Sequence, residues 1–167
     1  MPGSIVLAPF SNKNIVDWPA GRYGELIALC LQRFDLAIRV IGTIDQRQMG
    51  NALVRPYPSA RVENLCGLLP WQRTLRVIAE SRVTIGNNSG VPHAAARMGV
   101  PTICIFGGSH LDSEWMPRGP KAYMLTRHVV CSPCWNAQCR FGKRCLTEIS
   151  AATVVEMVTR VLEQTGG

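Results

Sequence analysis

The chain has 167 residues, 47% hydrophobic and 17% charged, which is enough for one domain with a substantial core and too little for two. No run approaches the about eighteen uninterrupted apolar residues of a membrane span, and residues 1–9 lack the basic start and apolar centre of a secretion signal, so a soluble, cytoplasmic protein is expected. The formal charge is +7, and fifteen of the eighteen basic residues are Arg, a composition that favours anionic partners.

Residues 5–8 read as a short strand ending at Pro9, followed by a polar stretch to Asp17. Trp18-Pro19 opens a helix to about Arg33, with Leu26, Ile27, Cys30, Leu31 and Phe34 on one apolar stripe. A second strand covers 36–41 and stops at Gly42; 45–54 is a weaker helix, and Pro56, Pro58 and Ser59 mark a loop. Residues 62–69 are extended. Helix 71–79 follows with Trp71, Leu75 and Ile78 on one face, and strand 83–85 comes at once. The run 86–90 then breaks the chain sharply before a small-residue helix over 91–98, with Pro92 near its start. Residues 102–106 form the last clear core strand, ended by Gly107-Gly108, and 115–119 has turn composition. Past this point the sheet cannot be followed. Ser150 caps a closing helix over 150–163, with Val154, Val158, Val161 and Leu162 on one face, ending at Gly166-Gly167. Strand-length runs alternating with helical segments predict an α/β fold, a parallel sheet with helices on both faces, in one domain spanning 1–167.

The most informative stretch is 83–99, where strand, tight polar loop and helix start occur in the order that builds an anion site. Free N–H groups at a helix N-terminus, with its partial positive charge, hold phosphate well. Gly90 permits close backbone approach, Ser89 can donate a hydroxyl hydrogen bond, Asn88 can cap the helix, and His93 lies on the first turn facing the same crevice. The plainer alternative is that Asn88 only caps and His93 only fills the core. Seven Cys without an export signal argue against a secreted disulfide framework. Cys131, Cys134, Cys139 and Cys145 form C-x2-C-x4-C-x5-C, a density that fits structural zinc or iron held by thiolates, or else unligated thiols or an adventitious disulfide. Cys30, Cys66 and Cys104 sit in apolar runs and should simply pack. The arginines are spread at intervals without interleaved aromatics, so nucleic acid is not an expected partner.

The run Asn88-Ser89-Gly90-Val91-Pro92-His93-Ala94-Ala95-Ala96, then Gly99-Val100-Pro101-Thr102, then Phe106-Gly107, resembles the pattern of glycosyltransferase family 9, the family of the ADP-heptose:lipopolysaccharide heptosyltransferases. Pro9 after the first strand, Trp18-Pro19, Gly42 before Asp45, Cys131-Ser132-Pro133-Cys134 and the helix after Ile149-Ser150 extend the similarity along nearly the whole chain. The resemblance implies the Rossmann-like C-terminal half of a two-domain GT-B glycosyltransferase. That half binds the nucleotide-diphosphate sugar, ADP-heptose or a similar donor, while a separate N-terminal domain binds the acceptor. It maps Asn88, Ser89 and Gly90, with His93 below them, to the donor pyrophosphate and Asp45 to the ribose. Ser11 and Asn12 then belong to the loop that meets the phosphates. Val16 stands where heptosyltransferases often carry Lys, so Lys13 would reach in its place, and Asn88 replaces the usual Asp. Some autotransporter heptosyltransferases of the family carry a four-Cys iron site with other spacings; a metal at the Cys cluster here would be structural, because four Cys leave no open position for substrate. No cofactor is required for catalysis.

The function implied is transfer of heptose or another sugar to a lipopolysaccharide core or similar acceptor glycan, peripherally at the inner membrane. The alternative is a non-catalytic nucleotide-sugar-binding module. A nicotinamide dehydrogenase is disfavoured because no G-x-G-x-x-G follows the first strand. The acceptor base is expected from the missing domain, with Asp112 or Glu114 as the only substitutes in this chain.

Overall fold

The computed structural model describes residues 3–58 and 60–165. Ser59, Met1, Pro2 and the Gly166-Gly167 end therefore lie outside the described residues. The strands are β1 (Ser4–Ala8), β2 (Ala37–Val40), β3 (Val62–Asn64), β4 (Ser81–Asn87), β5 (Thr102–Phe106) and β6 (Ala122–Thr126). They form one sheet in the order β3-β2-β1-β4-β5-β6 with every neighbouring pair parallel. The helices are α1 (Ala20–Arg33), α2 (Arg47–Val54), α3 (Trp71–Ala79), α4 (Gly90–Arg97), α5 (Asp112–Trp115), α6 (Arg144–Thr147) and α7 (Ala151–Thr165). No described helix is long and apolar enough to cross a membrane.

The layers follow from period-two alternation in strands buried on both faces. Ile5 and Leu7 of β1 enter a core shared with Leu26, Ile27 and Cys30 of α1 and with Val154, Val158 and Val161 of α7. Val6 and Ala8 enter the opposite core with Ile78 of α3 and Ala95 of α4. Register extends the first face sideways: Leu7 lies beside Val40 and Ile85, and Ile85 beside Ile103. Ser150 Oγ accepts the Thr153 N–H at 3.1 Å, so the expected cap of the closing helix is present.

The structure differs from the sequence reading in several places, among them residues 62–69, where only 62–64 form a strand and a turn follows. β4 runs on to Asn87, so Gly86 and Asn87 belong to the strand and the break shrinks to Asn88 and Ser89. A Cβ on Gly86 would meet Pro92 Cγ at 2.8 Å, so glycine there admits α4 against the strand instead of making a turn. A 3-10 turn (Ile44–Gln46) precedes α2. β6 adds a strand that the sequence did not reveal. Trp71 is 52% exposed, although Ile78 on the same helix is fully buried.

The strand order reverses between β1 and β4, and ligands of open α/β sheets bind outside the carboxyl ends of strands at such a point. Asn87 sits there, fully buried. Its Nδ2 donates to Pro9 O at 2.7 Å and to Asp17 Oδ1 at 3.0 Å; its Oδ1 accepts the Trp18 N–H at 3.1 Å and the Tyr23 hydroxyl at 2.9 Å. Burial pushes the Tyr23 hydroxyl well above its ordinary pKa, so it stays protonated and donates. Trp18 continues the chain of contacts, with its indole N–H donating to Ile149 O at 3.0 Å and its ring meeting Tyr23 edge-on at 4.9 Å.

Replacing Asn87 by Ala strands several buried donors and acceptors at once. Urea unfolding should show a loss of about 3–5 kcal/mol for Asn87→Ala. Tyr23→Phe, which leaves Oδ1 its bond from Trp18, should lose only about 1–2 kcal/mol.

Candidate functional site

The wall below the switch point is the start of α4. Its N-cap is Ser89, in extended backbone, with no side-chain hydrogen bond closing the first turn. The expected capping by Asn88 is not made: Asn88 Oδ1 instead accepts from His93 Nε2 at 3.1 Å, which fixes the imidazole. The first-turn N–H groups of α4 therefore carry the positive end of the helix dipole with no side chain satisfying them from the cap. A Cβ on Gly90 would meet no atom within 4 Å, so packing does not explain glycine there, and the open space is the approach to those N–H groups.

The facing wall is the loop after β1. Ser11 Oγ accepts the Lys13 N–H and donates to Lys13 O, both at 3.0 Å, which folds the loop into a tight turn. Ser11, Asn12 and Lys13 line one cavity of about 340 Å³ together with Asn88, Ser89, Gly90 and His93, so seven of the expected residues converge. Val16 is buried against the same cavity, whereas Lys13 is exposed at its edge. His110 and Trp115, which the sequence reading passed over, complete the lining. The available signal was their place just after the Gly107-Gly108 strand end.

Asp45 does not join this group. It is exposed in the 3-10 turn past β2, where a reciprocal Thr43–Gln46 capping box holds the turn. On that side an adjoining cavity of about 390 Å³, lined by Phe10, Ile41, Thr43, Gln46, Leu69 and Trp71, shares Ser11, Asn12, Ser89 and Gly90 with the first. The two make a groove across the strand ends. Asp112 and Glu114 do not line it either: Asp112 Oδ2 lies 3.4 Å from His128 Nε2, and Glu114 faces a separate cavity with Arg97 and Arg118.

Cys131, Cys134, Cys139 and Cys145 line a different cavity of about 720 Å³. Among the described residues, no three His, Cys, Asp or Glu side chains are gathered so as to hold a metal ion, and the expected four-thiolate set is not assembled. Each segment has its own anchor. The Cys134 N–H donates to Gly108 O at 3.0 Å, Cys139 Sγ accepts from the Phe141 and Lys143 N–H groups at 3.4 and 3.2 Å, and Cys145 rides on α6. Lys143 also ties this region to the β1 loop, its Nζ donating to Asn14 O, Asn14 Oδ1 and Asp17 O at 2.8–3.0 Å. Cys30, Cys66 and Cys104 pack in the core as expected, and burial pushes their thiols up to about 12, 11 and 12.

Burial lowers the His93 pKa below its ordinary value near 6.5, so the ring is neutral at neutral pH. The unfolded chain then binds the extra proton first, and the contribution of His93 to stability is lost as pH falls from about 6.5 through the folded value. An NMR titration should place the His93 midpoint below its ordinary value near 6.5, and His93→Gln should flatten the part of the stability–pH curve under pH 6.5.

Residues 2–144 match the family model described as glycosyltransferase family 9 (heptosyltransferase). The chain is 22% identical over 148 residues to lipooligosaccharide heptosyltransferase 2 of Campylobacter jejuni, covering 87% of this chain and 46% of that protein. The E. coli ADP-heptose LPS heptosyltransferase II structure superposes with a TM-score of 0.84 at 20% identity, over 99% of this chain and 48% of that one. The iron-containing dodecameric glycosyltransferase TibC of enterotoxigenic E. coli superposes at 0.76 and 19% identity, over 99% and 46%. The chain thus spans a little under half the length of these relatives. With the family model covering most of its length, the chain belongs to glycosyltransferase family 9.

Proposed function

We propose that this chain binds the nucleotide-diphosphate sugar of a heptosyltransferase-type reaction, with the pyrophosphate at the start of α4. The observation that carries this reading is the single groove in which the first turn of α4, without a side-chain cap, faces Ser11, Asn12 and Lys13. The apolar slot of Phe10, Ile41, Leu69 and Trp71 on the β2 side suits an adenine ring, and Gln46 and Thr43 there offer polar groups in the place expected of Asp45. The glycosyl group then points toward β5. Helix dipole, N–H groups and Lys13 would stabilise the charge that develops on the leaving diphosphate. No carboxylate among the described residues lines the 340 Å³ cavity, so the base for the acceptor hydroxyl belongs to a separate acceptor-binding domain. The acceptor is a lipopolysaccharide core or similar glycan, reached at the cytoplasmic face of the inner membrane, where the +7 charge favours anionic headgroups.

A thermal-shift panel of ADP, GDP, UDP and dTDP sugars tests the donor. A ligand at a hundred times its Kd adds about 2.7 kcal/mol, or roughly 5–10 °C for a domain of this size. ADP-linked sugars should give the largest shift. Gly90→Val should abolish it while leaving a folded protein, and equal shifts in both proteins would reject the site.

Incubated alone with ADP-heptose and truncated lipopolysaccharide, the chain should bind donor without turning over, since proximity needs both walls of the cleft. An acceptor-binding domain supplied in trans should restore turnover. Catalysis by the isolated chain would overturn this division of labour.

The four-thiol cavity supports a second, smaller reading, a structural zinc or iron, because all four cysteines open onto one space. Ligation requires the thiols to draw closer than they stand. Elemental analysis of anaerobically purified protein should find about one zinc or iron per chain; metal-free protein would reject this reading.

A further inference from the structure

The groove residues leave a set of three rings after β5 unexplained. His110 stands between Trp115 and Trp135, with ring centroids 5.4 Å from each, tilted 51° to Trp115 and edge-on at 82° to Trp135. The arrangement is firmly held. Ser109, itself buried, hydrogen-bonds His110 Nδ1 through its hydroxyl at 2.8 Å, and the Trp135 N–H donates to Ser109 O at 2.9 Å. Trp135 adopts φ 53°, a left-handed backbone that a bulky side chain rarely takes. Asp112, at the start of the short helix that carries Trp115, meets His128 at 3.4 Å.

Residues this well anchored would ordinarily be covered, yet Trp115 is 50% exposed and Trp135 54%. Trp115 and His110 line the 340 Å³ cavity together with Ser11, Asn12 and Lys13. A ring fixed before binding offers a large apolar face without a further entropic penalty, and the amides and ammonium around it suit hydroxyl groups. A pyranose has the matching shape: a C–H face that lies on an aromatic ring and a hydroxyl rim that seeks polar partners.

Resting on the donor-binding reading, we infer that Trp115, held by His110, which Trp135 packs against in turn, is the surface on which the donor's sugar ring stacks. Trp115 is thereby a specificity-determining residue for the glycosyl group and not for the nucleotide. Calorimetric titration of the wild type, Trp115→Ala and Trp115→Phe with ADP and with ADP-D-β-D-heptose separates the possibilities. In the wild type the sugar nucleotide should bind at least fivefold more tightly than ADP. Trp115→Ala should keep ADP within twofold and lose that difference, and Trp115→Phe should regain most of it. Saturation-transfer NMR on the wild type should show the sugar ring protons receiving magnetisation from aromatic side chains. Equal losses for ADP and ADP-heptose would put the nucleobase or a structural role at Trp115 and overturn the inference. Unchanged affinities for both ligands in Trp115→Ala would overturn it too, leaving Trp115 a contact for another domain. Absence of ADP binding to the wild type would instead sink the donor reading and this inference with it.

Discussion

One carboxamide, that of Asn87, relates the two walls of the groove to each other. Its two donor and two acceptor positions are all occupied, by groups from the exit of β1, the segment before α1 and α1 itself. A carboxylate of the same shape has no protons to give Pro9 O and would repel Asp17, and an apolar side chain would satisfy none of the four. The amide is therefore dictated by its neighbours. Because Asn87 is the last residue of β4, the turn that follows it starts from the same point that fixes residues 9–18, and the two loops that line the groove are set by one buried network instead of two independent ones.

The groove proposed for the donor carries little formal charge. Asn88 is neutral, burial keeps His93 neutral, and among the described residues Lys13 is the only Lys, Arg, Asp or Glu that lines the cavity. In the proposed reading, the oriented backbone of α4 is what would attract a diphosphate there, aided at longer range by the surplus of arginines. Fixed dipoles need no reorganisation as charge builds on a leaving group, so they serve the departing diphosphate better than mobile side chains would.

The sequence was legible where the residue type had a local reason. β1, β5 and α7 carry apolar periodicities that the cores use directly, and Ser150 caps as its position demands. Gly86 and Asn87 misled because their turn preference is overridden by tertiary demands: close approach of Pro92 in one case, four hydrogen bonds in the other. β6 was invisible because it is an edge strand with every residue only half-buried, so no alternation marks it. In the site, Ser89, Gly90 and His93 were readable from strand–turn–helix order. That Gln46 and not Asp45 lines the groove, and that the rings at 110, 115 and 135 gather, depend on how distant loops fold over the strand ends, which no local spacing encodes.

The tie from Lys143 has a consequence for how this loop can change over generations. Two of its three acceptors, Asn14 O and Asp17 O, are main-chain carbonyls, so the ammonium recognises the path of the segment more than its side chains. Substitutions at residues 11–13 that preserve this path leave the mooring intact. The side chains lining the groove are thus free to diversify on a fixed backbone, and the chemistry the groove presents can drift without a new loop having to be invented.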